Sequence, residues 1–180
     1  YPLRRQRQMC IRDRYYFLIF NLFYTKSNNF RESFVHTFVI FSIHIFLTTE
    51  LLSFFNQLNF YSLSFFYIIC IGVIFYFTRE FKLPKFYSTK FSYFESFIIF
   101  LICFSLSITF IIAIISAPNN YDSMTYHMSR VTNWIQNNSV SFYPTNEWRQ
   151  NSFPPLSEYI ILNLQILSNS DRYANMVQWF

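Results

Sequence analysis

Apolar residues in this chain gather in long unbroken runs, without the strict alternation of half-buried strands. The first complete run covers 34–55, the second 60–78 and the third 94–117. Each comes close to the roughly 20 residues that carry a helix across a bilayer. Residues 15–24 are just as apolar but too short to span, so they read as the end of a truncated helix or as an interfacial segment. Asn29 and Glu32 have N-cap and third-position spacing ahead of the first run. Ser92 and Glu95 form a candidate capping box before the third run, and Pro118 ends it. Beyond the polar stretch 118–153, Pro154 and Pro155 stand where a helix can start. Residues 156–168 are apolar and helical but short for a full span. A polar break at Asn169–Arg172 precedes a last helix start at Tyr173–Val177.

This pattern predicts an all-α polytopic membrane protein, a helical bundle with a juxtamembrane helical external loop. Its parts are a basic segment 1–14, a transmembrane region 15–117, the external loop 118–153 and following membrane helices 154–180. A chain cut at both ends is expected, since it lacks a starting Met and stops inside a helical pattern. Composition agrees: 53% of residues are hydrophobic, 26 are Phe and only 13% are charged, against roughly 25% in soluble domains.

The net charge of +5 misleads, because Arg4, Arg5, Arg7, Arg12 and Arg14 with Asp13 supply +4 of it. The run Met9–Arg14 resembles a translated sequencing adapter; the other reading is a genuine basic tail beside the membrane. Neither makes a nucleic-acid patch. Cys70 and Cys103 lie inside apolar runs without metal-ligand spacing and read as small core residues. A single glycine, Gly72, excludes glycine-rich phosphate loops.

Basic residues set the orientation. Arg79, Lys82, Lys85 and Lys90 crowd the connection after the second run, whereas Asn56–Asn59 carries no charge. Excess Lys and Arg mark the cytoplasmic side, which puts 118–153, with only Arg130 and Arg149, on the outer face.

That loop carries the polar chemistry. Residues 122–136 read as an amphipathic helix along the membrane surface, with Asp122, Tyr126 and Arg130 recurring every four residues on one face. Met124, Met128, Val131 and Ile135 fit the apolar side, and Trp134 suits an interface. Each polar residue also has a plain structural reading. Asp122 is a good N-cap. His127 reads as a satisfied interfacial histidine. Arg130 can bind a lipid phosphate or pair with Asp122. Glu158, in the first turn of a helix, is favoured there by the dipole.

The order Asp122, Tyr126, Arg130, an aromatic-rich stretch, Pro154-Pro155-Leu156, an apolar helix and Asp171-Arg172-Tyr173-Ala174 resembles the GT-C membrane glycosyltransferases. The likeness is to glycosyltransferase family 39, the protein mannosyltransferase and aminoarabinose transferase group, and it covers roughly 117–180. It implies a GT-C-like bundle in a bacterial inner membrane with the loop periplasmic. It further implies a donor sugar on a polyprenyl phosphate and a lipid, glycan or protein acceptor, with membrane lipid around the bundle and no nucleic acid. Asp122 would be the catalytic base. Tyr126, His127, Arg130, Arg149 and Glu158 would bind substrate or phosphate. The departures are Ser123, where many members carry a second acid, and Phe153, where many carry a Lys before the proline pair. Arg149 is the nearest cation in its place. No cofactor follows from the sequence, and a divalent metal requirement is left open.

Three rivals stand beside this reading, one of them a non-catalytic membrane scaffold that would tolerate loss of Asp122. A transporter would place paired ionisable groups inside the spans, where Glu50, His36 and His44 are the candidates. A lipid-linked polysaccharide polymerase or ligase would share the membrane setting.

Overall fold

The computed structural model describes residues 2–78, 81–82, 84 and 91–179, with side chains from Ile11 onward. The side chains of Arg4, Arg5 and Arg7, and residues Arg79, Lys85 and Lys90, lie outside that set. All regular structure among the described residues is helical: α1 Pro2–Ser27, α2 Phe30–Phe54, α3 Phe60–Phe77 and α4 Tyr93–Ile115, then a π-helical turn Ser123–His127 leading into α5 Met128–Asn137, α6 Arg149–Ser152, α7 Leu156–Ser168 and α8 Ala174–Trp179. Three of these, α2, α3 and α4, are long and apolar enough to cross a membrane.

The starts of these helices follow local chemistry. Asn29 accepts from the amides of Arg31 and Glu32, and Asn59 from those of Tyr61 and Ser62. Ser92 and Glu95 close a reciprocal capping box: the Ser92 hydroxyl accepts from the Glu95 amide, and the Glu95 carboxylate accepts from the Ser92 amide. The helix ends rely on asparagine. Asn28, Asn56, Asn138 and Asn169 all have φ of 51–53°, the left-handed conformation that usually falls to glycine after a helix.

Of the two readings of residues 15–24, the interfacial segment falls: they form the later part of α1, which ends at Ser27, and they lie in the core. Tyr15, Leu18, Ile19, Phe20, Asn21 and Tyr24 are all buried. Against α1 pack α2, α3 and α7, and α5 packs on α7; Ile19, Ile45, Leu63, Tyr67, Val131, Leu162 and Leu167 join them in one core. The face that α2 buries is small and polar as well as apolar, with Ser33, Thr37, Thr49 and Ser53 inward. Close approach of small side chains is how apolar helices associate where lipid removes the hydrophobic drive. By contrast α4 buries only Ala113. It holds α8 through Trp179, whose Nε1 donates to Leu106 O at 3.2 Å and to Thr109 Oγ1 at 3.1 Å.

The two ends of the bundle are distinct. At one end the Leu58 amide donates to Asn138 O (3.1 Å) and the Val140 amide to Ser53 Oγ (2.8 Å), so the uncharged 56–59 turn and the 118–153 loop lie together. At the other, Asn21 Nδ2 donates to Lys82 O (3.0 Å) and Lys82 Nζ reaches Thr25 O (3.5 Å).

Candidate functional site

The loop helix starts at Tyr121, one residue ahead of the stretch its polar pattern marks out. Asn120 Oδ1 accepts from the Ser123 amide at 2.7 Å and serves as the cap. Asp122 lies inside the first turn with helical backbone and makes no capping bond, so the N-cap reading of Asp122 fails. The helix then widens into the π turn, closed by the Met128 amide donating to Ser123 O, before narrowing into α5. A π turn turns the face by less per residue than an α-helix. That divides the expected common face: Asp122 is exposed, whereas Arg130 is buried at 4% exposure.

Arg149, on α6, gathers the exposed part. Its Nη1 donates to Asp122 Oδ1 at 3.0 Å, and its Nε and Nη2 donate to the two oxygens of Glu147 at 2.8 and 3.1 Å. The guanidinium also lies 5.1 Å from the centre of the Tyr126 ring. These bonds, first those to Glu147 and then that to Asp122, raise Arg149 above its ordinary value, and the same guanidinium holds the Glu147 carboxyl below its own. Burial, followed by the charges of Glu158 and Asp122, moves the Tyr126 phenol up. The Asp122 side chain is 63% exposed, so its carboxylate remains open to a ligand.

Gln150 fixes α6 against the loop helix. Its Oε1 accepts from Tyr143 Oη (2.7 Å) and Thr145 Oγ1 (3.1 Å), and its Nε2 donates to Thr125 O (2.7 Å). It is buried, and every polar atom of its amide is engaged across the loop. Asn151 adds a bond from Nδ2 to Tyr143 O at 2.8 Å.

The second cluster lies beneath. Glu158, at 1% exposure, accepts from His127 Nδ1 at 2.9 Å and from Ser157 Oγ at 2.7 Å, with Arg130 Nη1 at 3.7 Å. Arg130 Nη1 donates to Phe153 O at 3.0 Å, which ties the loop helix to the residue before the proline pair. The guanidinium stacks 4.6 Å from the Trp134 ring centre. Two plain readings therefore change. Arg130 pairs with Glu158 and not with Asp122, and its burial removes it from lipid phosphates. Trp134, expected at an interface, is 2% exposed and packs on Tyr159. His127 joins the halves, its ring 3.8 Å from that of Tyr126.

All six residues singled out in the sequence thus fall into two adjoining clusters, Asp122, Tyr126 and Arg149 outside and His127, Arg130 and Glu158 inside. Sequence reasoning missed Asn120, Glu147 and Gln150. The first two had a signal: Asn120 precedes a helix start at cap spacing, and Glu147 stands two residues from Arg149. Gln150 had none, because its three bonds are made by folding. Among the described residues no three His, Cys, Asp or Glu side chains are placed to hold a metal ion. No protein-family model, curated protein or solved structure matches the chain in the comparisons made.

Proposed function

We propose that the protein is a membrane glycosyltransferase of GT-C type. It moves a sugar from a polyprenyl-phosphate donor to an acceptor on the outer face of a bacterial inner membrane, and α2, α3 and α4 cross that membrane. The observation that carries this reading is Asp122: a carboxylate relieved of capping by Asn120, 63% exposed and oriented by Arg149. A carboxylate so held is suited to remove a proton from a bound hydroxyl.

The acceptor oxygen attacks the anomeric carbon while its proton passes to an Asp122 oxygen. The bond from the anomeric carbon to the phosphate oxygen breaks, and its electron pair leaves with the polyprenyl phosphate, inverting the centre. Arg149 is the cation beside Asp122 and the partly exposed guanidinium of the site. We therefore assign it to the departing phosphate, which a guanidinium recognises bidentately. Arg130 and Glu158 act by positioning, holding the loop helix on α7. Tyr126 covers one side of Arg149.

The test is transfer from labelled polyprenyl-phosphate donors in membranes holding the full-length protein that carries this chain, wild type beside Asp122→Asn. Asn keeps the shape and the contact with Arg149 but accepts no proton at working pH. Transfer in wild type and a loss of at least a hundredfold in the variant is expected, from the usual range for a general base. Equal rates would remove Asp122 from the chemistry. Silence of the wild type with every donor would favour the transporter reading.

A further inference from the structure

Beside the buried cluster, and separate from Asp122 and Arg149, a cavity of about 860 Å³ opens at the same end of the bundle. Its walls come from the last turns of α2, from α5, from residues 140–142 and from the stretch leading into the proline pair. This volume lies within the range of small-molecule sites. Of the six residues discussed above, Arg130 alone lines it.

The lining has a definite chemistry. Glu50, at the end of α2, accepts from Tyr159 Oη through Oε1 at 2.5 Å. The Tyr159 hydroxyl is held as the donor of this pair and the Glu50 carboxylate as its acceptor, which leaves the second carboxylate oxygen for a ligand. Glu50 and Arg130 are the charged groups among the lining residues, one of each sign, so the lining as a whole carries no net charge. Phe54 and Phe142 are 80% and 82% exposed, and with Trp134 and Tyr159 they present aromatic surface. Asn56 and Asn151 add amides, and Ser141 and Ser152 add hydroxyls. Arg130 Nε, buried, has no hydrogen-bond partner among the described residues.

A ligand that fits is uncharged, rich in hydroxyls, and carries apolar C–H faces for the aromatic rings. That combination describes a neutral saccharide. A phosphate finds no net positive charge in the lining, and a purely apolar chain would set the carboxylate, the guanidinium and the amides against hydrocarbon.

We infer that this cavity is a binding subsite for a neutral saccharide, with Glu50 accepting from sugar hydroxyls and the aromatic walls packing on the ring. The inference rests on the glycosyltransferase reading for its role, as the seat of a glycan acceptor beside the transfer site. The binding itself does not depend on that reading. It also makes a glycan, among the three acceptor classes, the one this chain is built to take.

The experiment is equilibrium binding of neutral gluco- and manno-oligosaccharides, against uronic-acid counterparts, to the full-length protein in lipid nanodiscs. Wild type, Glu50→Gln and Phe142→Ala are compared. Neutral sugars should bind wild type in preference to the acidic ones. Glu50→Gln should weaken them roughly tenfold or more, the effect of losing a hydrogen bond to a charged group. Phe142→Ala removes only exposed surface, and should weaken them by several-fold even if Glu50→Gln fails to fold. Absence of saccharide binding, preference for the acidic sugars, or affinity unchanged in both cavity variants would each overturn the inference. Saccharide binding without any transfer would leave the cavity assignment standing and sink the enzymatic reading. Transfer with a cavity indifferent to these variants would do the reverse.

Discussion

Two ion pairs stand side by side in this loop, and the closer one matters less to the fold. Arg149 meets Asp122 at 3.0 Å with side chains 21% and 63% exposed, while Arg130 meets Glu158 at 3.7 Å with side chains 5% and 1% exposed. In water the first pair is screened and exchanges one set of hydrogen bonds for another. The second has surrendered its hydration, so each partner depends on the other and on His127, Ser157 and the Phe153 carbonyl. Distance alone ranks them wrongly; burial ranks them. The same division separates duties, since a group that must meet a ligand has to keep one side open.

The contrast can be broken most severely at Glu158. Its replacement by Ala leaves Arg130 charged and buried without its carboxylate, which should cost about 3–5 kcal/mol. Unfolding in mixed micelles would read it as a fall in the denaturation midpoint. Replacing both partners with apolar residues of similar volume should recover most of that loss. A small effect of Glu158→Ala alone would mean that water reaches the cluster. Asp122→Asn, which abolishes transfer under the proposed function, should leave the midpoint nearly where it was.

The smallest effect is electrostatic and lies at Glu147. Hydrogen bonds from Arg149 hold its carboxyl below the ordinary value. Its contribution is therefore complete above the usual glutamate pKa, about 4.3, and disappears as pH falls through the lowered value. The difference in midpoint between wild type and Glu147→Gln should be present at neutral pH and vanish in acid. A difference that persists in acid would show that packing and not charge is responsible.

What the sequence made legible was local. The three apolar runs end within a few residues of α2, α3 and α4, and the caps at Asn29 and at Ser92 with Glu95 form as their spacing requires. The polar residues of the loop and Glu158 could be chosen because charged and aromatic side chains stand out beside an apolar chain. Their partners could not. Glu158 lies 31 residues from His127, and Tyr159 lies 109 from Glu50. No periodicity encodes such separations. The place of Trp134 was hidden for the same reason, because whether an amphipathic helix shows its ring to lipid or to α7 depends on what folds over it. The apolar stretch 15–24 was visible, but its place at the centre of the bundle was not, since that depends on α2, α3 and α7 folding around it.

The π turn at Ser123–His127 makes the loop a matter of length as well as of residue type. It accommodates one residue more than an α-helix would between Asn120 and α5, so removing Ser123 should let the segment relax into regular helix. Such a deletion takes out the extra residue and the extra width together, so Asp122 should keep nearly its facing toward Arg149 and transfer should survive. An alanine inserted after Met128, in the regular turns of α5, has no such slack: everything ahead of it would swing by about 100° around the axis. Asp122 would lose Arg149 and His127 would lose Glu158, while Arg130, downstream, would keep it. Transfer should disappear with the insertion, from a change that alters no charged residue. The loop thus carries one spare tooth beside its carboxylate, the place where its length can change without spoiling its aim.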